Sequence, residues 1–171
     1  MGFALRHWKG EERFIQEFAK AADALKHQYQ AQILFLPLQF PADAQLSAQV
    51  EAAMEDSRDV FILDQKCSTQ GYQDLICNLH LLIGMRLHAL VFAAINDVPF
   101  MAISYDPKVD RFVDGMKGNV VDTIGRITSE ELVSMAGRLW HADGRQGRER
   151  ICALREEARA NIGRALELIH R

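Results

Sequence analysis

The chain is poor in cysteine, carries no strong charge of either sign and has no long apolar run. Only three of its 171 residues are cysteine: Cys67, Cys77 and Cys152. Odd in number and forming no C-x-x-C pair, they exclude a disulfide frame and a zinc ribbon, and they read as reduced thiols of a cytoplasmic protein. No group of residues has metal-ligand spacing, so no metal is expected. The formal net charge is −3. That excludes the basic signature of a general nucleic-acid binder, although not a local basic site. No apolar run reaches roughly 18 residues, so no membrane span is expected. The first residues, MGFALRHW, lack the apolar segment of a signal peptide. Internal repeats and low-complexity linkers are missing as well.

What is present has an ordinary globular balance, 49% apolar and 25% charged. The length fits a single domain over residues 1–171, large enough to bury a core without staples. Helical and strand patterns alternate along it, which predicts an α/β architecture with a parallel sheet. Strands are expected at Phe3–Arg6, Gln32–Leu38 (stopped or kinked by Pro37), Asp59–Asp64, the run HLLIGM and VPFMAISY, with Val120–Val121 as an edge strand. Helices are expected from Gly10 to Gln30, Asp43 to Glu55, Tyr72 to Asn78, Arg86 to Asn96, Ser129 to His141 with Ser129 as N-cap, and Gln146 to Ile169. Asp106 opens a further short helix. Glycine-rich stretches at Gly115–Gly125 and Gly144–Gly147 read as loops. The last helix interleaves Arg148, Arg150, Arg155, Arg159 and Arg164 with glutamates, the pattern of a solvated, salt-bridged face.

In an open parallel sheet, ligands bind beyond the carboxyl ends of the strands. Arg6 and His7 follow the first strand, Gln39 the second, and Asp64, Gln65 and Lys66 the third. Arg86 and His88 follow Ile83, and Tyr105, Asp106 and Lys108 follow Phe100–Ser104. Gly84 permits a tight turn into the helix. Arg86 and His88 then sit at the helix mouth, where both can face a cleft while Leu87, Leu90, Val91 and Ala94 pack inward. Residues two apart share no helix face. Unpaired backbone N–H groups, the helix dipole and an arginine fork make a cradle for a phosphate or carboxylate there. Asp106 can cap the next helix with Pro107 at its first position, bringing Lys108 to the same anion. His88, between fixed cations, is a candidate proton-transfer group. Plainer alternatives stay open. Arg86 and His88 can be satisfied structural residues, Tyr105 core, Asp106–Pro107 a helix start, Asp64 and Lys66 surface, and Arg6 a partner of Asp64 on an adjacent strand.

The stretch IGMRLHALVFAAINDVPFMAISYDPKV resembles the C-terminal motif of the polysaccharide pyruvyl transferase family. The resemblance is carried by Gly84, Arg86, Leu87, His88, Ala89, Pro99, Ser104, Tyr105, Asp106 and Lys108. FALRHW is similar to the family's Leu-Arg-x-Trp strand, and FLPLQFPAD and YQDLICNLHLLIGMRLHA look like its bacterial members that modify cell-wall polymers. The likeness runs from about Phe3 to about Phe112.

This resemblance implies one half of a GT-B-like enzyme, in which two Rossmann-like domains face each other across a cleft. It implies phosphoenolpyruvate as donor substrate, with no cofactor, and a sugar acceptor that receives pyruvate as a ketal while phosphate leaves. By position, His88 would be catalytic, and Arg86, Lys108 and Arg6 would bind the donor. The chain has room for only one of the two domains. It therefore reads as a C-terminal half, either excised or naturally truncated, inactive alone, whose bared apolar surface would favour a homodimer. Two rivals share the pattern: a glycosyltransferase half-domain that binds a nucleotide sugar through Asp64 or Asp106, and a non-catalytic glycan- or partner-binding module.

Overall fold

The structure is a computed structural model that describes residues 1–8, 11–116, 119–121, 127–142 and 147–169. The elements follow in the order β1 (Gly2–Ala4), α1 (Glu11–Tyr29), β2 (Ile33–Phe35), α2 (Ala42–Ala52), β3 (Val60–Ile62), α3 (Thr69–Ile76) and β4 (Leu82–Gly84). After these come α4 (Leu87–Ile95), β5 (Phe100–Ile103), α5 (Pro107–Gly115), β6 (Asn119–Val121), α6 (Ser129–Trp140) and α7 (Arg148–Ile169). The strands form a six-stranded sheet in the order β3-β2-β1-β4-β5-β6. Every pairing in it is parallel. The α/β class and parallel sheet expected from the alternation are therefore what the chain builds.

Strand residues alternate between two cores, as a pleated backbone requires. Phe3, Ile33, Phe35, Leu81, Ile83, Met101 and Ile103 face one core with α1, α2 and α6. Ala4, Leu36, Leu82 and Ala102 face the other with α3, α4 and α5. The α1 face Phe14, Phe18, Ala22 and Leu25 is buried, with Phe18 edge-on to Phe3. Each such large side chain contributes roughly 1.5–3 kcal/mol.

The strands are shorter than the apolar runs that announced them. Burial outlasts the hydrogen-bonded ladder: Leu5, Leu36 and Met85, just past β1, β2 and β4, are fully buried. Arg6 consequently lies in the loop after β1 rather than in the strand. Gly84 is needed for space and not for a turn. Its φ is outside the left-handed region, but a Cβ there would lie 3.0 Å from Leu90 Cδ2. The inward face of α4 is Ala89, Leu90, Ala93 and Ala94, with Leu87 and Val91 half-buried. Small side chains on that face let the helix lie close to the sheet.

Thr128, not Ser129, caps α6: its hydroxyl accepts from Glu131 N at 3.3 Å, and the Glu131 carboxylate accepts from Thr128 N. The glycine-rich stretches expected as loops fall largely outside the described residues, as do Gly10 and Gln146 at the expected starts of the first and last helices. No helix among the described residues is long and apolar enough to cross a membrane.

Candidate active site

Because the strands are parallel, their carboxyl ends share one edge. The order reverses beside β1: the chain builds outward through β2 and β3, then returns to place β4 on β1's other side. A crevice belongs at such a switch, between the loops after β1 and β4. β2 separates β1 from β3, so Arg6 and Asp64 do not leave adjacent strands and that pairing loses its premise.

Arg6 and Lys108 are brought together around one ring. Arg6 Cζ lies 4.2 Å from the Tyr105 centroid and Lys108 Nζ lies 6.0 Å from it, so the two cationic heads are at most about 10 Å apart. Trp8, from the Arg6 loop, packs on Tyr105 with ring centroids 5.8 Å apart. The negative face of an aromatic ring holds a cation in place without cancelling its charge. Arg6 has no ion-pair partner among the described residues, and its Nε is buried without a hydrogen bond. Arginine stays protonated under any ordinary condition, so this is fixed positive charge at the sheet edge.

Lys108 is placed by the cap expected from Asp106-Pro107. The Asp106 carboxylate accepts from Lys108 N at 2.9 Å, and Pro107 is the first residue of α5. Asp106 also lies 3.5 Å from Lys108 Nζ, but both side chains are well exposed, so the pair is weak. The Asp106 carboxyl is held below its ordinary value, first by the Lys108 backbone N–H. Partial burial opposes this, and the charges of Lys108 and Arg6 add to the lowering.

Arg86 has a different environment. It occupies the N-cap position of α4 without capping it, and its guanidinium reaches back to Asp43 in the first turn of α2. Nε donates to Asp43 Oδ2 at 2.9 Å and Nη2 donates to Oδ1. Asp43 is fully buried, and its Oδ2 also accepts from Leu38 N and Gln39 N. His7, beside Arg6, bonds the carbonyl of Ala42 at 3.0 Å. A carbonyl only accepts, so His7 Nε2 carries the proton. The loops after β1 and β4 are therefore both tied to the start of α2. His88, the second residue of α4, is exposed, and its side chain makes no hydrogen bond to a described residue.

Asp43 is the member of this group that reading the sequence missed. A signal was available: an acidic residue in a helix's first turn just beyond a strand, on the edge where Arg86 needs a counter-charge. One cleft away from this edge is poorly suited to an anion. A cleft of about 810 Å³ between α1 and the α2–β3 turn is lined by Lys26, Asp56 and Arg58. Asp56 already pairs with both cations at 2.9 Å.

The model of the polysaccharide pyruvyl transferase family matches residues 3–107. Arg6, Asp43, Arg86 and His88 lie inside that span, and Lys108 lies one residue beyond it. No curated protein matches the chain by sequence. Among solved structures, a UDP-GlcNAc 2-epimerase from Methanocaldococcus jannaschii superposes with a TM-score of 0.65 at 11% identity, over 91% of this chain and 45% of that one. The C-terminal domain of a group 1 family glycosyl transferase from Francisella tularensis gives 0.61 at 17% identity, over 89% and 83%. A putative UDP-N-acetylglucosamine 2-epimerase from Listeria monocytogenes gives 0.62 at 10% identity, over 93% and 45%. The chain thus spans under half the length of the two epimerases. At these identities the likeness establishes the fold, a Rossmann-like domain of the GT-B kind.

Proposed function

The chain belongs to the polysaccharide pyruvyl transferase family, and on that premise we propose that it is the donor-binding half of an enzyme moving pyruvate from phosphoenolpyruvate onto a glycan acceptor. The observation that carries this reading is the pair of cations, Arg6 and Lys108, held over Tyr105 beside the switch point. Phosphoenolpyruvate presents a phosphate and a carboxylate a few bonds apart, two anionic groups suited to two such heads. The N–H groups of Arg86 not used by Asp43, and the first-turn amides of α4, add directed donors.

Ketal formation adds one sugar oxygen to C2 of the donor while the methylene carbon takes a proton and becomes a methyl group. A second sugar oxygen then bonds C2 as the bridging C–O bond breaks and phosphate leaves. Two hydroxyl protons are released; one balances the proton on carbon and the other leaves with phosphate. His88, exposed at the mouth of α4, is the group that moves one of these protons. Cations fixed before the reaction starts stabilise the charge of the departing phosphate without reorganisation. The acceptor side of the cleft would come from a second Rossmann-like half, or from a partner copy in a homodimer, with the reaction in the cytoplasm.

Thermal melting of the chain with competing ligands tests the reading. Phosphoenolpyruvate at a hundred times its Kd should stabilise the fold by about 2.7 kcal/mol. UDP, present in the archaeal epimerase structure, should not. Lys108→Ala should lose most of the protection. His88→Ala should keep it, yet abolish phosphate release when an N-terminal half and an acceptor are supplied. Protection by UDP and none by phosphoenolpyruvate would replace this reading with that of a nucleotide-sugar half-domain.

A further inference from the structure

We propose that Asp43 is the positioning residue of this site, fixing the Arg86 guanidinium so that its remaining N–H groups receive the donor anion; this rests on the donor reading above. The carboxylate takes Nε–H and one Nη2–H of Arg86. An arginine has five such hydrogens, so three stay available for an oxyanion. A lysine could balance the same charge but could not hold the carboxylate and present a rigid set of donors at once.

Asp43 is itself immobile. It is fully buried, and the backbone N–H groups of Leu38 and Gln39 hold Oδ2 at 3.2 and 2.9 Å. The fork spans from α2, after β2, to α4, after β4, and so passes the end of β1, which lies between those strands. Beside it, His7 ties the Arg6 loop to Ala42, the residue before Asp43. One short stretch, Ala42–Asp43, thereby fixes the two loops that carry Arg6 and Arg86. The Arg86 side chain is 18% exposed, so it is not sealed off from a ligand.

Nuclear magnetic resonance on the 171-residue chain, with phosphoenolpyruvate as probe, tests this. The wild type should give a slowly exchanging Arg86 Nε–H resonance that Asp43→Asn removes, and Asp43→Asn should weaken donor binding about ten-fold or more. Arg86→Lys should weaken it as much, and the double variant should be no weaker than either single one, because the pair acts as a unit. A purely structural pair would lower the melting temperature of Asp43→Asn yet leave affinity in the folded protein unchanged; that result overturns the proposal. If Asp43→Asn does not fold, Arg86→Lys decides, and unaltered affinity in it overturns the proposal equally. A wild type that binds beside an equally tight Asp43→Asn defeats the positioning role alone. A wild type that binds no phosphoenolpyruvate defeats the donor reading, and this role with it.

Discussion

Arg86 meets a buried carboxylate and Arg6 meets none among the described residues, although both are arginines just past central strands of the same sheet. The difference decides what each can do. Arg86 is neutralised locally, so it offers geometry; Arg6 offers net charge. Arg6 also carries a cost, since its Nε is buried unpaired, worth about 1–3 kcal/mol against folding. Its contact with Tyr105 returns about 0.5–2 kcal/mol. These nearly cancel. Arg6→Met, which keeps an apolar stem on the ring, should therefore change unfolding free energy by less than about 1 kcal/mol. It should nonetheless weaken phosphoenolpyruvate binding about ten-fold, a loss of about 1.4 kcal/mol. Urea unfolding and a binding titration check the two halves, and a strongly destabilised variant would show that Arg6 is a scaffold residue. At this scale the sequence exposed the candidate cations, because each follows a strand in plain order. It marks Asp43 only as an acidic residue in a helix's first turn and does not name its partner, which is 43 residues away in the chain. Charge complementarity across that distance leaves no local pattern.

Helix ends show the same divide between local and distant information. The Asp106-Pro107 cap was legible because donor and acceptor are two residues apart. α6 starts at Ser129 as expected, but its cap lies one residue earlier: Thr128-x-x-Glu131 spells a capping box and Ser129-x-x-Leu132 does not. Ser129 instead uses its backbone N–H across the fold, donating to Glu17 Oε2 of α1 at 2.6 Å, a pairing 112 residues apart. That bond is the main reason the Glu17 carboxyl sits below its ordinary value of 4.5; burial opposes it, while the Ser129 hydroxyl and Lys20 add to it. With a folded pKa below the unfolded one, Glu17 contributes its full stabilisation above about pH 4.5 and loses it as pH falls through the folded value. Glu17→Gln should hence be less stable than the wild type at pH 7. The gap between the two should close progressively below about pH 4.5. Parallel urea titrations at neutral and acid pH measure it, and a gap that does not change with pH would remove the charge from the account.

Across the whole molecule, alternation of patterns gave the class, but strand order is set by which helix crosses to which face, and no periodicity records that. The order β3-β2-β1-β4-β5-β6 brings the β1 and β4 loops side by side and so makes the candidate site. α7 stands at the other extreme, an element easily read from sequence that packs on little. Ile151 is buried and Leu154 half-buried against the α4–α5 side, where Arg148 also pairs with Asp97. Farther along, the described side chains are exposed, with Ile162 at 62% and Leu166 at 51%. The ion pairs on this helix, Arg150–Glu157 and Arg159–Glu156, are solvated. Such exposed pairs contribute at most about 0.5 kcal/mol each. A chain ending at Glu157 keeps Ile151, Leu154, Arg148 and the first of those pairs, and forfeits almost no area buried by the described side chains. For a domain of this size about 1 kcal/mol moves the melting temperature by roughly 2–4 °C, so the shortened chain should melt within about 2 °C of the full one. Calorimetry on both chains tests this. A fall of 5 °C or more, well outside that window, would mean that the outer half of α7 supports the sheet through contacts beyond the described side chains.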